Sequence, residues 1–252
     1  MKQLLIAAAL SGVAGAAGAQ VGLSDSSITL RYWDYEDDGA SGSVTNFGAR
    51  LNADLGAGFG IGLSFESYDQ QVEGNDFGSY REIGVHPYYQ FGAIRVGAYV
   101  QKIDVDFLTD PLQAYGLEAQ WDNGAGLKVE GYAGAVDNEI GFEDWTAAGV
   151  GARYNLNSSF GLYAAYETDQ WTSGGVDNGF SGARAGVAYL TPRLGGALPL
   201  TIQAEVASYE FDGGFGVTQY GIGVSIPIGQ QPTEPEPEIF AESRTLFVRY
   251  GF

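Results

Sequence analysis

The feature that most constrains this chain is an alternation of apolar and polar residues with a period of two. It is clear in residues 28–32, 59–66 and 200–206, where every second side chain is apolar. Successive side chains of a β-strand point to opposite faces, so each such window predicts a strand with one apolar face. No window of comparable length has the 3.6-residue period of an amphipathic helix. The alternation therefore predicts an all-β protein.

The last nine residues, 244–252, predict the setting of these strands. Every second residue from Leu246 to Phe252 is apolar or aromatic, whereas Arg249 lies on the opposite face. Such a strand is suited to hydrocarbon on one side and a polar interior on the other, as in a transmembrane β-barrel. The ending on Phe also resembles the C-terminal signature of bacterial outer-membrane barrels, and the resemblance implies that the barrel-assembly machinery reads Tyr250 and Phe252. For this segment alone, an edge strand of a soluble β-protein is the alternative.

The amino terminus predicts export. Met1 and Lys2 precede an apolar run from Leu4 to Leu10, and small residues lead to an Ala-x-Ala-like site at residues 17–19. This pattern is typical of a secretory signal peptide, and the run is shorter than the ~20 apolar residues of a membrane-spanning helix. We expect residues 1–19 to be the signal peptide and residues 20–252 to form the mature protein. A soluble periplasmic or secreted protein is the alternative.

The connections between the strand windows alternate in length. Tight turns are predicted at residues 56–58 and 92, and longer, mostly acidic loops near residues 70–79, 104–111 and 170–179. Short turns at one end and longer loops at the other are typical of outer-membrane barrels, in which the short turns face the periplasm. We therefore expect a single antiparallel transmembrane β-barrel surrounded by outer-membrane lipid.

The number of strands is less well determined. Thirteen windows fit a strand, including the terminal one, whereas single-chain bacterial barrels have an even number. Residues 230–238, with the sequence QQPTEPEPE, are acidic and proline-rich and predict an extended, solvated link within the barrel domain. We expect twelve strands, with fourteen as the alternative.

Composition excludes some partners. The net charge is −19 and the chain has no Cys. A strongly acidic chain is not suited to nucleic acid, because phosphates are bound by Lys and Arg. No disulfide stabilises the exported chain, so hydrogen bonding and packing must do so.

Charged residues also fall on the faces opposite the apolar ones, where six bases and six acids are expected to point inward. With the single histidine, the candidates for lining a pore are Arg50, Glu66, Glu82, His86, Arg95, Glu118, Lys128, Glu130, Arg153, Glu167, Arg184, Glu205 and Arg249. They would either brace a packed interior through ion pairs or line a water-filled pore and set its selectivity. Inward glycines such as Gly60, Gly186 and Gly221 leave interior volume, which favours a narrow channel.

The sequence contains no sign of an enzyme. His86 has no nearby serine or paired aspartates in the sequence, and a lone inward histidine is more often a satisfied polar group than a catalytic base. No Gly-x-Ser-x-Gly elbow, His-Glu-x-x-His helix or phosphate-binding loop is present. We therefore expect no catalytic residue, no cofactor and no metal.

These patterns together predict a porin-like passive channel for small polar solutes or ions, located in the cell outer membrane. The alternative is a non-conducting structural or surface-interaction barrel, similar to the small OmpA-type membrane domains, whose acidic loops meet the environment.

Overall fold

The structure is a computed structural model that describes most of the chain from residue 22 to residue 237. The described residues are 22–36, 41–72, 75–106, 108–138, 141–192, 198–212, 214, 216–229 and 232–237. Within these ranges, no helix has the length and apolar character needed to cross a bilayer. The predicted signal peptide and the terminal segment 244–252, with Arg249, Tyr250 and Phe252, lie outside the described residues.

Twelve antiparallel strands make up the fold. They are β1 (Gly22–Glu36), β2 (Ser41–Gly56), β3 (Phe59–Val72), β4 (Asn75–Phe91), β5 (Ile94–Val105), β6 (Leu112–Asp122), β7 (Leu127–Asp137), β8 (Glu143–Asn155), β9 (Phe160–Ser173), β10 (Val176–Leu190), β11 (Thr201–Phe211) and β12 (Gly216–Ile228). Each strand pairs with its neighbours in the sequence, and β1 pairs with β12, so the sheet is a closed barrel.

The closure explains the odd number of strand windows in the sequence. Along the closing seam, Ser26 lies opposite Ile228 and Glu36 lies opposite Thr218. The first twelve windows are therefore the twelve strands of the ring, and the prediction of twelve is confirmed. The thirteenth window, residues 244–252, is not needed to close the described ring.

The two ends of the barrel differ. Both Gly22 and Ile228 lie at one end, which we call the terminal end and which also has the five connections 57–58, 92–93, 123–126, 156–159 and 191–200. The opposite end, the distal end, has the other six connections. The predicted long loops near residues 70–79 and 170–179 are wrong, because paired strand residues leave only 73–74 and 174–175 between β3 and β4 and between β9 and β10.

The outer face of the barrel is an apolar belt. Leu117, Ile222 and Ile83 are 70%, 64% and 61% exposed, which is the arrangement expected for side chains that contact lipid. Near the terminal end, Phe59 and Tyr89 pack with ring centroids 4.8 Å apart, and Phe160 and Tyr189 pack at 4.9 Å. These aromatic residues match the interfacial girdle of a membrane barrel.

Candidate functional site: the barrel interior

The side chains that point into the barrel form three layers between its two ends. The layer at the terminal end is polar and surrounds a cavity, which we call the vestibule. The middle layer, the charged layer, consists of Arg31, Glu66, Glu82, Glu167, Asp169, Arg184 and Glu205. The layer at the distal end, the aromatic layer, contains Tyr35, Tyr68, Tyr80, Tyr99, Ile103, Leu112, Trp145 and Val217.

The vestibule is large enough to hold water. Its volume is about 140 Å³, which is several times the ~10–15 Å³ that a cavity needs to hold one water molecule. Its charged lining consists of Asp25, Arg50, Arg95, Glu118, Glu130, Arg153 and Glu236, and His86 also lines it. Three arginines therefore face four carboxylates, so the vestibule is nearly neutral although the whole chain is strongly acidic.

A β-bulge places one of these carboxylates. The pairing of β1 with β2 shifts between Ser24 and Ser27, and Asp25 has a φ of 46°, in the left-handed region. The extra residue turns Asp25 toward β5, where a carboxylate oxygen of Asp25 lies 3.5 Å from Nη2 of Arg95. The guanidinium of Arg95 also lies over the ring of Tyr88, 4.5 Å from its centroid. Arg95 is thereby held against the wall.

His86 joins two strands through its ring. Its Nε2 lies 3.1 Å from Oγ of Ser64, and its Nδ1 lies 3.2 Å from Oε2 of Glu118. This Ser-His-Glu order resembles that of a hydrolase triad, and the sequence alone does not predict it because Ser64 and His86 are 22 residues apart. However, Ser64 is only 4% exposed, and it pairs with Arg50 on one side and Gly84 on the other. Such a serine is poorly accessible to a substrate, and a paired backbone offers no oxyanion hole.

The centre of the charged layer is an ion-paired cluster. Nη2 of Arg184 lies 3.4 Å from Oε2 of Glu167, and Nη1 lies 4.0 Å from Oε2 of Glu205, with all three side chains at most 4% exposed. Tyr132 donates a hydrogen bond to Glu167 at 3.1 Å, and Tyr163 donates one to Glu205 at 2.8 Å. The cluster therefore connects β7, β9, β10 and β11 along the inner wall of the barrel. Buried charges are tolerated when they are paired in this way.

A second part of the charged layer lies against β1 to β4. Nη1 of Arg31 lies 3.5 Å from Oδ1 of Asn46, and the Asn46 amide donates a hydrogen bond to Glu66. Glu66 lies opposite Glu82 in the pairing of β3 with β4, and neither residue is exposed to solvent. The guanidinium of Arg31 also lies 5.8 Å from the ring centroid of Trp33.

The aromatic layer is dry. Tyr68, Tyr99, Ile103 and Leu112 are at most 1% exposed, although all four point into the lumen. The rings of Tyr68 and Tyr80 are stacked with centroids 4.2 Å apart. Side chains that line a wide aqueous pore would be accessible to water, so the lumen is narrow at this level.

The sequence predicts that the inward glycines leave open volume in the lumen. In the structure they do not. A Cβ atom built on Gly221 would lie 2.3 Å from Cδ1 of Trp33, and one built on Gly186 would lie 2.4 Å from Cζ of Tyr163. Aromatic rings therefore occupy the space above these glycines. The sequence pattern reveals a missing side chain on one strand but not the ring from a neighbouring strand that fills its place.

Two aromatic residues near the distal end of β1 also belong to the lumen. Trp33 and Tyr35 are 7% and 8% exposed and belong to the buried interior cluster. They share the inward face of β1 with Arg31, so they are not part of the aromatic girdle on the outer face.

The acidic, proline-rich segment after β12 contacts the barrel wall instead of extending into solvent. Oε1 of Glu236 lies 3.4 Å from Nη2 of Arg153 and 3.8 Å from Nζ of Lys128. The side chain of Asn155 donates a hydrogen bond to Glu234. Pro235 and Pro237 are buried. The described residues 232–237 are therefore part of the terminal end of the barrel.

All the described pore-lining candidates occupy the inward faces of their strands. Arg50, His86, Arg95, Glu118, Glu130 and Arg153 line the vestibule, and Lys128 lies beside it. Glu66, Glu82, Glu167, Arg184 and Glu205 belong to the charged layer, and Arg249 lies outside the described residues.

Four charged interior residues were not among the candidates, and the first is Asp25, which the β-bulge in β1 turns toward Arg95. Arg31 shares its face with Thr29 and Trp33, so the alternation itself would have found it. Asp169 is two residues beyond Glu167 on β9 and directly precedes the loop predicted near residues 170–179, although it is fully buried. Nothing in the sequence predicts an interior position for Glu236, because its segment lacks the alternation of a strand. In the described part of the chain, no group of three or more His, Cys, Asp or Glu residues is arranged to hold a metal ion.

Comparison with known sequences identifies a family. The sequence model of the Gram-negative porins matches residues 9–174, which is more than half of the chain. No curated protein sequence matches the chain.

Comparison with solved structures supports the same fold. The NanC porin has a TM-score of 0.59 at 12% identity, with 80% of this chain and 100% of that chain covered. The KdgM porin has a TM-score of 0.53 at 11% identity, with 79% and 99% covered. A structure of the KdgM porin in complex with disordered oligogalacturonate has a TM-score of 0.52 at 12% identity, with the same coverage. At these identities, the likeness concerns the fold.

Proposed function

The chain belongs to the Gram-negative porin family, and from this premise we propose that its outer-membrane channel is narrow and carries small polar solutes or ions. The observation that supports the proposal is the vestibule, a cavity with room for water inside the closed ring of strands. Its lining combines both signs of charge, which suits hydrated ions and small polar molecules better than apolar ones.

The charge balance of the vestibule also bears on the class of solute. One structure of the KdgM porin is a complex with disordered oligogalacturonate, which is a chain of carboxylated sugars. In the vestibule of the present protein, three arginines are offset by four carboxylates. A polyanionic chain would meet as much repulsion as attraction there, so we propose small solutes rather than acidic oligosaccharides.

The pore-lining roles of the charged residues are part of this proposal. Arg95 and Arg153 carry two of the three positive charges of the vestibule, whereas the charged layer contributes paired charges deeper in the lumen. The apolar belt would contact outer-membrane lipid, and Tyr250 with Phe252 would be read by the barrel-assembly machinery. Catalysis is no part of the proposal, because porins as a family are transport proteins.

The conductance of the purified protein tests the proposal. Refolded protein in a planar bilayer should give discrete conductance steps. Arg95→Glu and Arg153→Glu should each move the reversal potential in a salt gradient toward cation preference, because each adds negative charge to the vestibule. The matched control is Lys102→Glu, which makes the same change in charge at an exposed side chain outside the vestibule. A bilayer that stays silent with every variant would refute the channel.

The dry aromatic layer favours a second candidate function, a non-conducting structural barrel. The ring of Tyr68 lies between Trp33 and Tyr80, with centroid distances of 6.4 and 4.2 Å. Removing it with Tyr68→Ala should raise the conductance if the aromatic layer is the narrowest part of a channel. If wild type and Tyr68→Ala are both silent while folding normally, the structural barrel is favoured.

A further inference from the structure

The described residues 232–237, which follow β12, lie beside the vestibule at the terminal end of the barrel. The strand ends at Ile228, and the contacts of the segment are with Lys128 on β7, Arg153 and Asn155 on β8, and Gly161 on β9. In the ring, β12 and β8 are separated by four strand spacings of ~4.8 Å, or ~19 Å along the wall. Six residue spacings between Ile228 and Glu234 can span at most ~20 Å, which matches that distance.

Charge holds the segment at its far side. Glu236 is shared between Arg153 and Lys128, and Lys128 is also 3.2 Å from a carboxylate oxygen of Asp122. The Glu236 side chain is 34% exposed, so these pairs are accessible to salt. Pairs of this kind are weak one by one and weaken further as ionic strength rises.

The prolines suit a segment that must stay separate from the sheet. Proline has no backbone N–H group and cannot add a full set of ladder hydrogen bonds, and proline-rich chains are stiff and extended. Pro232 and Pro237 line the vestibule together with Glu236. The segment therefore forms one wall of the cavity without joining the ring.

We propose that residues 232–237 form a tethered cover of the vestibule, which is latched by Glu236 on Lys128 and Arg153 and restricts access from the terminal end. The inference rests on the proposed channel, since the cover would regulate its entrance. Its carboxylate is also one of the four that line the vestibule, so the cover shifts the charge at the mouth toward negative values.

Access to the vestibule can be measured with a reporter thiol, because the chain has no Cys. Ser27 lines the vestibule and lies opposite Arg50 on the inward face, so Ser27→Cys reports entry of a charged, water-soluble thiol reagent. Adding Glu234→Gln and Glu236→Gln should raise the labelling rate at least about twofold, because the latch is lost. In the Ser27→Cys protein with the native cover, labelling should rise with salt between 0.05 and 1 M, where the Debye length falls from about 14 to about 3 Å.

The control variant is Ser27→Cys with Glu210→Gln, which makes the same chemical change at an exposed residue near the distal end. It should label at the rate of Ser27→Cys alone. Equal labelling of the control and the Glu234→Gln/Glu236→Gln variant would overturn the proposal.

A disulfide can lock the cover in place. A Cβ atom at Gly161 would lie 3.6 Å from Cβ of Pro235, within the range of about 3.5–4.5 Å that disulfides require. The nearest other atom is the side-chain oxygen of Asn155, at 2.7 Å, which can rotate away. Gly161→Cys with Pro235→Cys should form the bond in the folded barrel, and wild type, without thiols, is the control for redox treatment.

With the bond formed, the single-channel conductance should be at least about twofold lower than after reduction. An unchanged conductance, or a bond that does not form in the folded barrel, would overturn the cover. If the labelling rate rises when the latch is removed but no protein gives conductance steps in bilayers, the proposed cover is supported and the proposed channel is refuted. The two failures are therefore distinguishable.

Discussion

The interior of the barrel depends on glycines that lie beneath aromatic rings. A Cβ atom at Gly221 would lie 2.3 Å from Trp33, whose indole N–H donates a hydrogen bond to Glu205. Gly221→Ala should therefore lower the free energy of unfolding by about 1–3 kcal/mol, because the ring must shift. Gly216→Ala is the control, since its Cβ would have no neighbour closer than 3.6 Å. Urea titration of the refolded barrel measures both, and equal stability of the two variants would contradict the packing.

Arg184 is the charge on which two buried carboxylates depend. Arg184→Met should lower the free energy of unfolding by about 3–5 kcal/mol, because Glu167 and Glu205 lose their common cation. The matched change Lys102→Met removes an exposed lysine that lies 3.4 Å from Asp104, and it should cost at most about 1 kcal/mol. Equal losses in urea titrations would show that the buried cluster contributes no more than an exposed pair.

At this scale, the sequence predicts the side on which a charge lies but not its partner. Alternation is sufficient to turn Glu167, Arg184 and Glu205 inward, because it is a property of each strand alone. Their ion pairs depend on the register between strands, which no single window contains. The contact of Ser64 with His86 could not be predicted for the same reason.

The cost of a charged residue on the outward face of a strand depends on its depth in the membrane. Leu117 and Gln113 share the outward face of β6, but Leu117 lies near the middle of the strand and Gln113 lies near its distal end. Leu117→Arg should destabilise the barrel in lipid vesicles by about 2–4 kcal/mol, and Gln113→Arg by about 0–1 kcal/mol. Both substitutions leave the lumen unchanged, so the difference measures depth. If both cost the same, the proposed position of the hydrocarbon belt is wrong.

The elements were predicted well where lipid contact forces the outward face to be apolar. Toward the distal end the prediction fails, because strands that extend beyond the bilayer can be polar on both faces. In Asp69, Gln70 and Gln71 the period of two is lost, yet all three residues still pair with β2 and β4. Hydrogen-bonded pairing outlasts the hydrophobic pattern there, so strand ends were mistaken for loops.

The ring as a whole closes through β1 and β12, from the Ser26–Ile228 pair to the Glu36–Thr218 pair. A chain that lacks residues 244–252 should therefore still refold in detergent into a barrel that migrates faster on a gel before boiling than after it. In cells, the same truncation should reduce insertion into the outer membrane if Tyr250 and Phe252 form the assembly signal. Phe252→Ala provides the milder comparison. Loss of refolding in detergent would show that the terminal segment contributes to the ring.

The architecture was accessible from the sequence because closed barrels follow from repeated local patterns. The contents of the lumen were not, because they arise from side chains that meet across strands and from a segment without periodicity. The acidic, proline-rich composition of residues 232–237 predicts a solvated segment. However, Lys128 and Arg153 lie close enough to pair with Glu236.

The rings above glycines have a consequence for how this interior changes over generations. Gly182 lies opposite Tyr209 in the pairing of β10 with β11, and a Cβ atom at Gly182 would lie 1.9 Å from the tyrosine ring. A side chain at position 182 would therefore require a smaller residue at position 209. Substitutions at these two positions should therefore be coupled. Among related sequences, we expect positions 182 and 209 to covary, with a larger residue at position 182 accompanied by a smaller one at position 209.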